Sequence, residues 1–233
     1  MSKLVLILGK SGAGKSTSVR TLNPKETFII NSIGKELPFE GSEDLYTVYH
    51  KDKNPDGNVV ITTSVQAVIM WLNHISAKMP HIKNIVIDDN TQQSTMEYLR
   101  RMGETTWDKW NDIAANMINV AQLSKGLRDD LMVFIMHHVS ETGDGITEDK
   151  QLKAMTLGKL VDDKLGTYEA YFTVILLAKK LKTTDDDVEH VFITRDADST
   201  TKTPMGMFKE KQIPNDLSLV RDTVINYYSK KSK

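Results

Sequence analysis

Residues 9 to 16 read Gly9-Lys10-Ser11-Gly12-Ala13-Gly14-Lys15-Ser16 and fit the pattern G-x-x-x-x-G-K-[ST]. Such a loop suits phosphate for a physical reason. Its glycines let successive backbone N–H groups turn inward onto anionic oxygens, and a helix starting at the loop adds its positive end. Lys15 is then expected to reach the β- and γ-phosphates of a nucleotide, the Ser16 hydroxyl to ligate Mg²⁺, and Thr17 to lie near the α-phosphate.

Magnesium held by one hydroxyl needs a carboxylate at the end of a neighbouring strand. The run "NIVIDD" supplies it in Asp88; Asp89 either polarises the attacking water or caps the next helix. A second apolar run, "LMVFIMHH", ends in His137 and His138. Neighbouring strand residues point to opposite faces, so one histidine is expected to face the phosphates, and His138 is the favoured one.

These residues need elements to hold them. Lys3 to Leu8 reads as a buried strand before the loop, and a helix is expected from about Lys15 to Leu22. Thr27 to Asn31 reads as the second strand. Leu45 to Tyr49 and Asn58 to Thr62 flank the turn signal "KDKNPDG", which predicts a hairpin inserted at the sheet edge over residues 44–63. Ser64 caps a helix whose Val65, Val68, Ile69, Leu72 and Ile75 share a face. Lys83 to Asp89 and Leu131 to His138 make strands three and four.

Between those strands, helices are expected over about Thr91 to Met102 and Trp107 to Leu127, with Trp107, Trp110, Ala114, Met117 and Ala121 facing the core. The polar stretch Ser140 to Met155 reads as a functional or mobile loop. "YFTVILLAKKLK" and "EHVFITRDA" read as an antiparallel pair, and "NDLSLVRDTVINYY" as a last helix before a lysine-rich tail that frays over 229–233. Strands alternating with helices predict a largely parallel sheet in one α/β domain over 1–233.

The 233-residue chain has 26% charged residues, 39% apolar residues and a net charge of -1, which excludes a disordered chain and a basic histone-like binder. It has no cysteine, so disulfides and thiolate metal sites are excluded. The first apolar run is too short to span a bilayer and lacks a cleavage pattern, so no membrane association is expected and the protein reads as cytoplasmic.

The order of glycine loop, "NIVIDD", polar-ended strand, polar loop and strand pair resembles the RecA-like ATPase core. "INSIGKELPFEG" and "TRDADSTTKTPMGMFKEKQIPNDLSLV" are similar to the AAA-type nucleotide-binding family of bacteriophages that includes the Sak-group single-strand annealing proteins. The resemblance implies ATP and Mg²⁺ as ligands and a role on single-stranded DNA in recombination, annealing or replication. It also implies a filament or ring of identical subunits, a single-strand binding protein as possible partner, and the host cytoplasm as location.

By the same resemblance, the loop Ser140 to Met155, with Lys150 and Lys153, stands where RecA-like proteins hold DNA. Arg195 and Lys202 are the candidates for a cation acting on a neighbouring subunit's nucleotide. The lysines at 179, 180, 182, 230, 231 and 233 read as solvated ends. The chain departs from the RecA-like pattern after strand two, where a catalytic glutamate is usual: Asn31 stands there, and Glu36 follows. Two rivals remain open. A small-molecule or nucleoside kinase shares the loop, although "SETGDGITEDKQ" has no arginine where a lid would be sought; a helicase-loader or packaging module would bind nucleotide without turnover.

Overall fold

The computed structural model describes residues 1–143, 150–157, 167–183 and 187–229. Its elements run β1 (Lys3–Leu8), β2 (Thr27–Asn31), α1 (Ser42–Leu45), β3 (Val59–Ile61), α2 (Val65–Lys78), β4 (Asn84–Asp88), α3 (Asn90–Arg100) and α4 (Asp108–Gly126). There follow β5 (Met132–His137), β6 (Val139–Thr142), β7 (Gln151–Ala154), β8 (Val174–Lys182), β9 (Val188–Ile193), β10 (Gln212–Pro214) and a last helix, α5 (Leu217–Ser229).

One sheet of eight strands runs in the order β10-β9-β8-β1-β5-β4-β2-β3. The six strands from β8 to β3 are parallel, and β9 and β10 add on antiparallel. β6 and β7 form a separate antiparallel ribbon.

Strand alternation explains why the sheet is central. Leu4, Leu6 and Leu8 of β1 face one side with Ile85, Ile87, Val133 and Ile135, and are covered by Leu72 and Ile75 of α2 and by Met117 and Val120 of α4. Val5 and Ile7 face the other side with Val86 and Phe134, under Val19, Leu22 and Leu217 and Val220 of α5. Runs apolar on both faces therefore sit between two helical layers, the condition a parallel sheet requires.

Several expectations change. The loop is followed not by an α-helix but by a tight 3₁₀ helix over Ser16–Thr21. Ser18 Oγ donates to the Lys15 carbonyl (2.5 Å) and Thr21 Oγ1 to that of Ser18 (3.0 Å), three residues back in each case. Such hydroxyl bonds compete with the α-helical pattern and suit the tighter turn.

The hairpin expected over 44–63 is instead a parallel edge strand, β3, beside β2. One isolated parallel bridge, Val48 to Val59, links the preceding segment to it, with backbone bonds from Tyr49 to Val59 (2.7 Å) and from Val59 to Thr47 (3.0 Å). Asn58 takes the place of a ladder: it accepts from the Thr47 amide (3.0 Å) and donates to the Leu45 and Pro24 carbonyls (3.1 and 3.0 Å).

Trp107, expected in the core, is 81% exposed. It precedes the first turn of α4, and that helix buries a face that starts at Ile113. Trp110 stacks on Tyr98 with ring centroids 5.0 Å apart. Parts of the polar loop, residues 144–149, lie outside the described residues, as do the tip of the late hairpin (184–186) and the tail 230–233. The flanks of the polar loop are the ribbon β6–β7. Among the described residues, no helix is long and apolar enough to cross a membrane.

Candidate nucleotide site

The glycine loop, the acids after β4, the turn after β2 and His138 all leave the carboxyl ends of parallel strands, where ligands of open α/β sheets bind. β5 lies between β1 and β4 in the sheet, and that order sets the chemistry. It puts the residue after β5, His138, between the loop after β1 and the acids that end β4.

The contacts follow. Lys15 Nζ is 3.5 Å from His138 Nδ1, and His138 Nε2 is 2.8 Å from Asp89 Oδ2. An ammonium only donates, so His138 Nδ1 is an acceptor and its proton sits on Nε2, given to Asp89. The other oxygen of Asp89 accepts from the Thr91 amide (2.8 Å) and caps α3. Both carboxylate oxygens are engaged, so Asp89 fixes the imidazole and the helix start together.

Lys15 is 7% exposed and donates to the carbonyls of Gly9 (2.8 Å) and Lys10 (3.2 Å). Burial lowers the pKa of its amine, and the charges of Asp89 and Asp88 oppose that shift. Burial pushes Asp88 up to about 6, against the hydrogen bond it shares with Ser16. Burial alone would raise Asp89, but the His138 hydrogen bond and the nearby histidine and Lys15 charges hold it below the usual carboxylate value. Opposed shifts on adjacent carboxyls mark a site where charge is arranged for a ligand.

A cavity of about 500 Å³ collects Ser11, Gly12, Gly14, Lys15, Ser16, Thr17, Asp88, Asp89, His138 and Glu36. Gly9 follows β1, its amide bonded to the His137 carbonyl (3.1 Å), and Ala13 of the loop is buried. Lys10 is exposed. Asn31 is structural as well as cavity-lining: its Oδ1 accepts from the Ile33 and Gly34 amides (3.2 and 2.9 Å), and its Nδ2 donates to the Lys35 carbonyl (2.7 Å). That turn brings Glu36 to the cavity.

The remaining candidates lie elsewhere. The exposed Arg195 donates to the carbonyls of Phe208 and Lys209 (3.4 and 2.6 Å), and Lys202 is exposed on a segment bridged to Ile175; neither lines the cavity. Lys153 stands on β7 of the ribbon and Lys150 just before it, 3.2 Å from Glu141.

The structure adds residues with weak sequence signals. Gln92 follows the capped start of α3, Lys35 belongs to the turn behind Asn31, and His190 comes from β9. His137 is fully buried; its Nε2 is 2.7 Å from the Met155 carbonyl, and the Met155 amide donates to the His138 carbonyl (2.9 Å). Glu169, also buried, accepts from the Ala154 amide (2.7 Å). The ribbon is thus fastened at its base to the residue beside Lys15.

Gly12 and Gly14 have φ of +70° and +97°. A Cβ on Gly14 would lie 2.7 Å from His190 Nδ1, whereas one on Gly12 would meet only the Lys180 amine, at 3.5 Å. Gly14→Ala is therefore expected to lower stability by about 1–3 kcal/mol and to cost most nucleotide affinity, with Gly12→Ala the milder variant. Thermal melting and nucleotide titration of both proteins check this.

The donor set fits magnesium held with phosphate: one hydroxyl and one carboxylate, already hydrogen-bonded to each other, beside a loop of inward amides. Among the described residues, no group of three or more His, Cys, Asp or Glu is placed to hold a metal alone.

No protein-family model and no curated protein matches the chain. Among solved structures it is similar to the KaiC-like protein PH0186 from the hyperthermophilic archaeon Pyrococcus horikoshii OT3, with a TM-score of 0.50 and 12% identity over 91% of this chain and 84% of that one. With its mostly parallel sheet, flanking helices and added antiparallel strands, the chain has the RecA-like α/β fold.

Proposed function

We propose that this protein is a Mg²⁺-dependent ATPase that acts on single-stranded DNA in phage recombination, annealing or replication. The observation that carries the ATPase reading is the convergence of Lys15, Ser16, Asp88, Asp89 and His138 on one cavity at the strand ends. Bound magnesium would neutralise phosphate charge and orient the leaving group. The loop amides and Lys15 hold the polyphosphate, Ser16 and Asp88 hold the cation, and Asp89 keeps the His138 lone pair aimed toward Lys15. Once Lys15 turns to phosphate, His138 Nδ1 and the Glu36 carboxylate are the acceptors left to orient a water.

The DNA part rests on the resemblance of the sequence to phage annealing proteins and on the ribbon's attachment beside His138. Lys150 is 61% exposed and its partner Glu141 48%, an ion pair weak enough to yield to a phosphate. Phosphate release measured with and without single-stranded DNA tests the whole reading. Stimulation by DNA supports it; turnover indifferent to DNA returns the kinase rival, and nucleotide binding without turnover returns the loader.

DNA binding is expected to tighten with ATP and to weaken with salt at a log–log slope of about -0.7 per phosphate neutralised, so roughly -2 to -4 for a few contacts. Lys150→Ala with Lys153→Ala should flatten that slope and leave ATP affinity unchanged. Fluorescence anisotropy across a salt series reads both.

A further inference from the structure

His190 has no part in the chemistry above. It sits on β9 directly across from Lys180 on β8, and the pair lies over the phosphate loop. The ring stands so close to Gly14 that only a glycine fits, and the Lys180 amine lies over Gly12. The imidazole lines the nucleotide cavity, and its Nδ1 is buried with no hydrogen-bond partner among the described residues. A buried polar atom without a partner calls for an explanation, and a ligand that completes the bond is one.

We infer that His190 is a phosphate-positioning residue of this site, donating from Nδ1 to an oxygen of the bound polyphosphate, with Lys180 adding positive charge from the same strand pair. Gly14, against which the ring packs, immediately precedes Lys15, so a donor there stands beside the loop whose amides cradle phosphate. Nδ1 is a donor in one neutral tautomer and in the cation, and no sequence-distant lid is needed to bring it in. The β8–β9 pair then closes the site from within one chain. Arg195 and Lys202, further along the same region, are left for other work.

The inference rests on the nucleotide-binding reading, and its test separates the two. Two probes are titrated into wild-type, His190→Ala, His190→Asn and His190→Gln proteins: a fluorescent ATP analogue, and inorganic tripolyphosphate as its competitor. An Asn amide nitrogen reaches the Nδ1 position and a Gln amide does not. His190→Ala is expected to weaken both probes by the same factor, about tenfold for one charge-assisted bond. His190→Asn should recover most of that loss and His190→Gln little.

Unchanged affinity in His190→Ala, with tight binding by the wild type, overturns the role of His190 and leaves the nucleotide site standing. Weakened ATP analogue with unaffected tripolyphosphate assigns the ring to base or sugar and overturns the inference as well. If His190→Ala does not fold, His190→Asn binding no better than His190→Gln overturns it. A wild type that binds neither probe overturns both readings.

Discussion

Lys15→Ala protein is expected to release no phosphate from ATP and to bind ATP at least about a hundredfold more weakly, the scale of losing one preorganised donor on developing charge. In the free protein the ammonium rests on the Gly9 and Lys10 carbonyls and near His138. The residue is therefore held inside the loop before any phosphate arrives. Because burial already works against its charge, its removal should leave the fold within about 1 kcal/mol of wild type. Phosphate release, calorimetric titration and a melting curve on one preparation decide it: normal turnover would mean that the glycine loop is not the catalytic phosphate site.

Asp88→Asn should separate activity from stability. Turnover is expected to fall by about a hundredfold or more as the magnesium-side carboxylate is lost. Without nucleotide or magnesium, the same variant should melt higher than wild type above pH 6. The sign follows from linkage: the folded-state pKa is raised from 3.8 to about 6, so the favourable protonated form is complete below 3.8 and is lost as pH rises through 6. Asparagine does not ionise and escapes that loss. With Asp88 partly open to the cavity, the gain is about 2 kcal/mol, or several degrees, and it should vanish near pH 4. Melting curves of both proteins from pH 4 to 8 check this, and a variant that melts lower at every pH would contradict it.

The glycine loop and the Asp88 carboxylate that line one cavity were legible in the sequence because their signals are local: glycine spacing, a following Lys-Ser, and two acids closing an apolar run. The buried strands were legible for the same reason. What escaped depended on contacts between distant segments. The turn after the loop tightens through Ser18 and Thr21 hydroxyls, which propensity alone does not reveal. The edge strand β3 follows from Asn58 tying three segments together. Trp107 matched the helical face by spacing, yet the helix starts one residue later and turns the indole to solvent. His190 carried too weak a signal to be singled out, since only strand pairing brings β9 over Gly14.

Asn215 is buried and bridges the Gly14 carbonyl (3.1 Å) to the Arg20 guanidinium (2.9 Å), joining positions 201 residues apart at the phosphate loop. During synthesis the loop is thus made 201 residues before the side chain that clamps it. At about 5–20 residues per second, roughly 10–40 s separate the two events on the ribosome. A chain stopped before Asn215 would carry the whole motif and lack this clamp, so the setting of the loop is tied to a contact that only the longer chain can make.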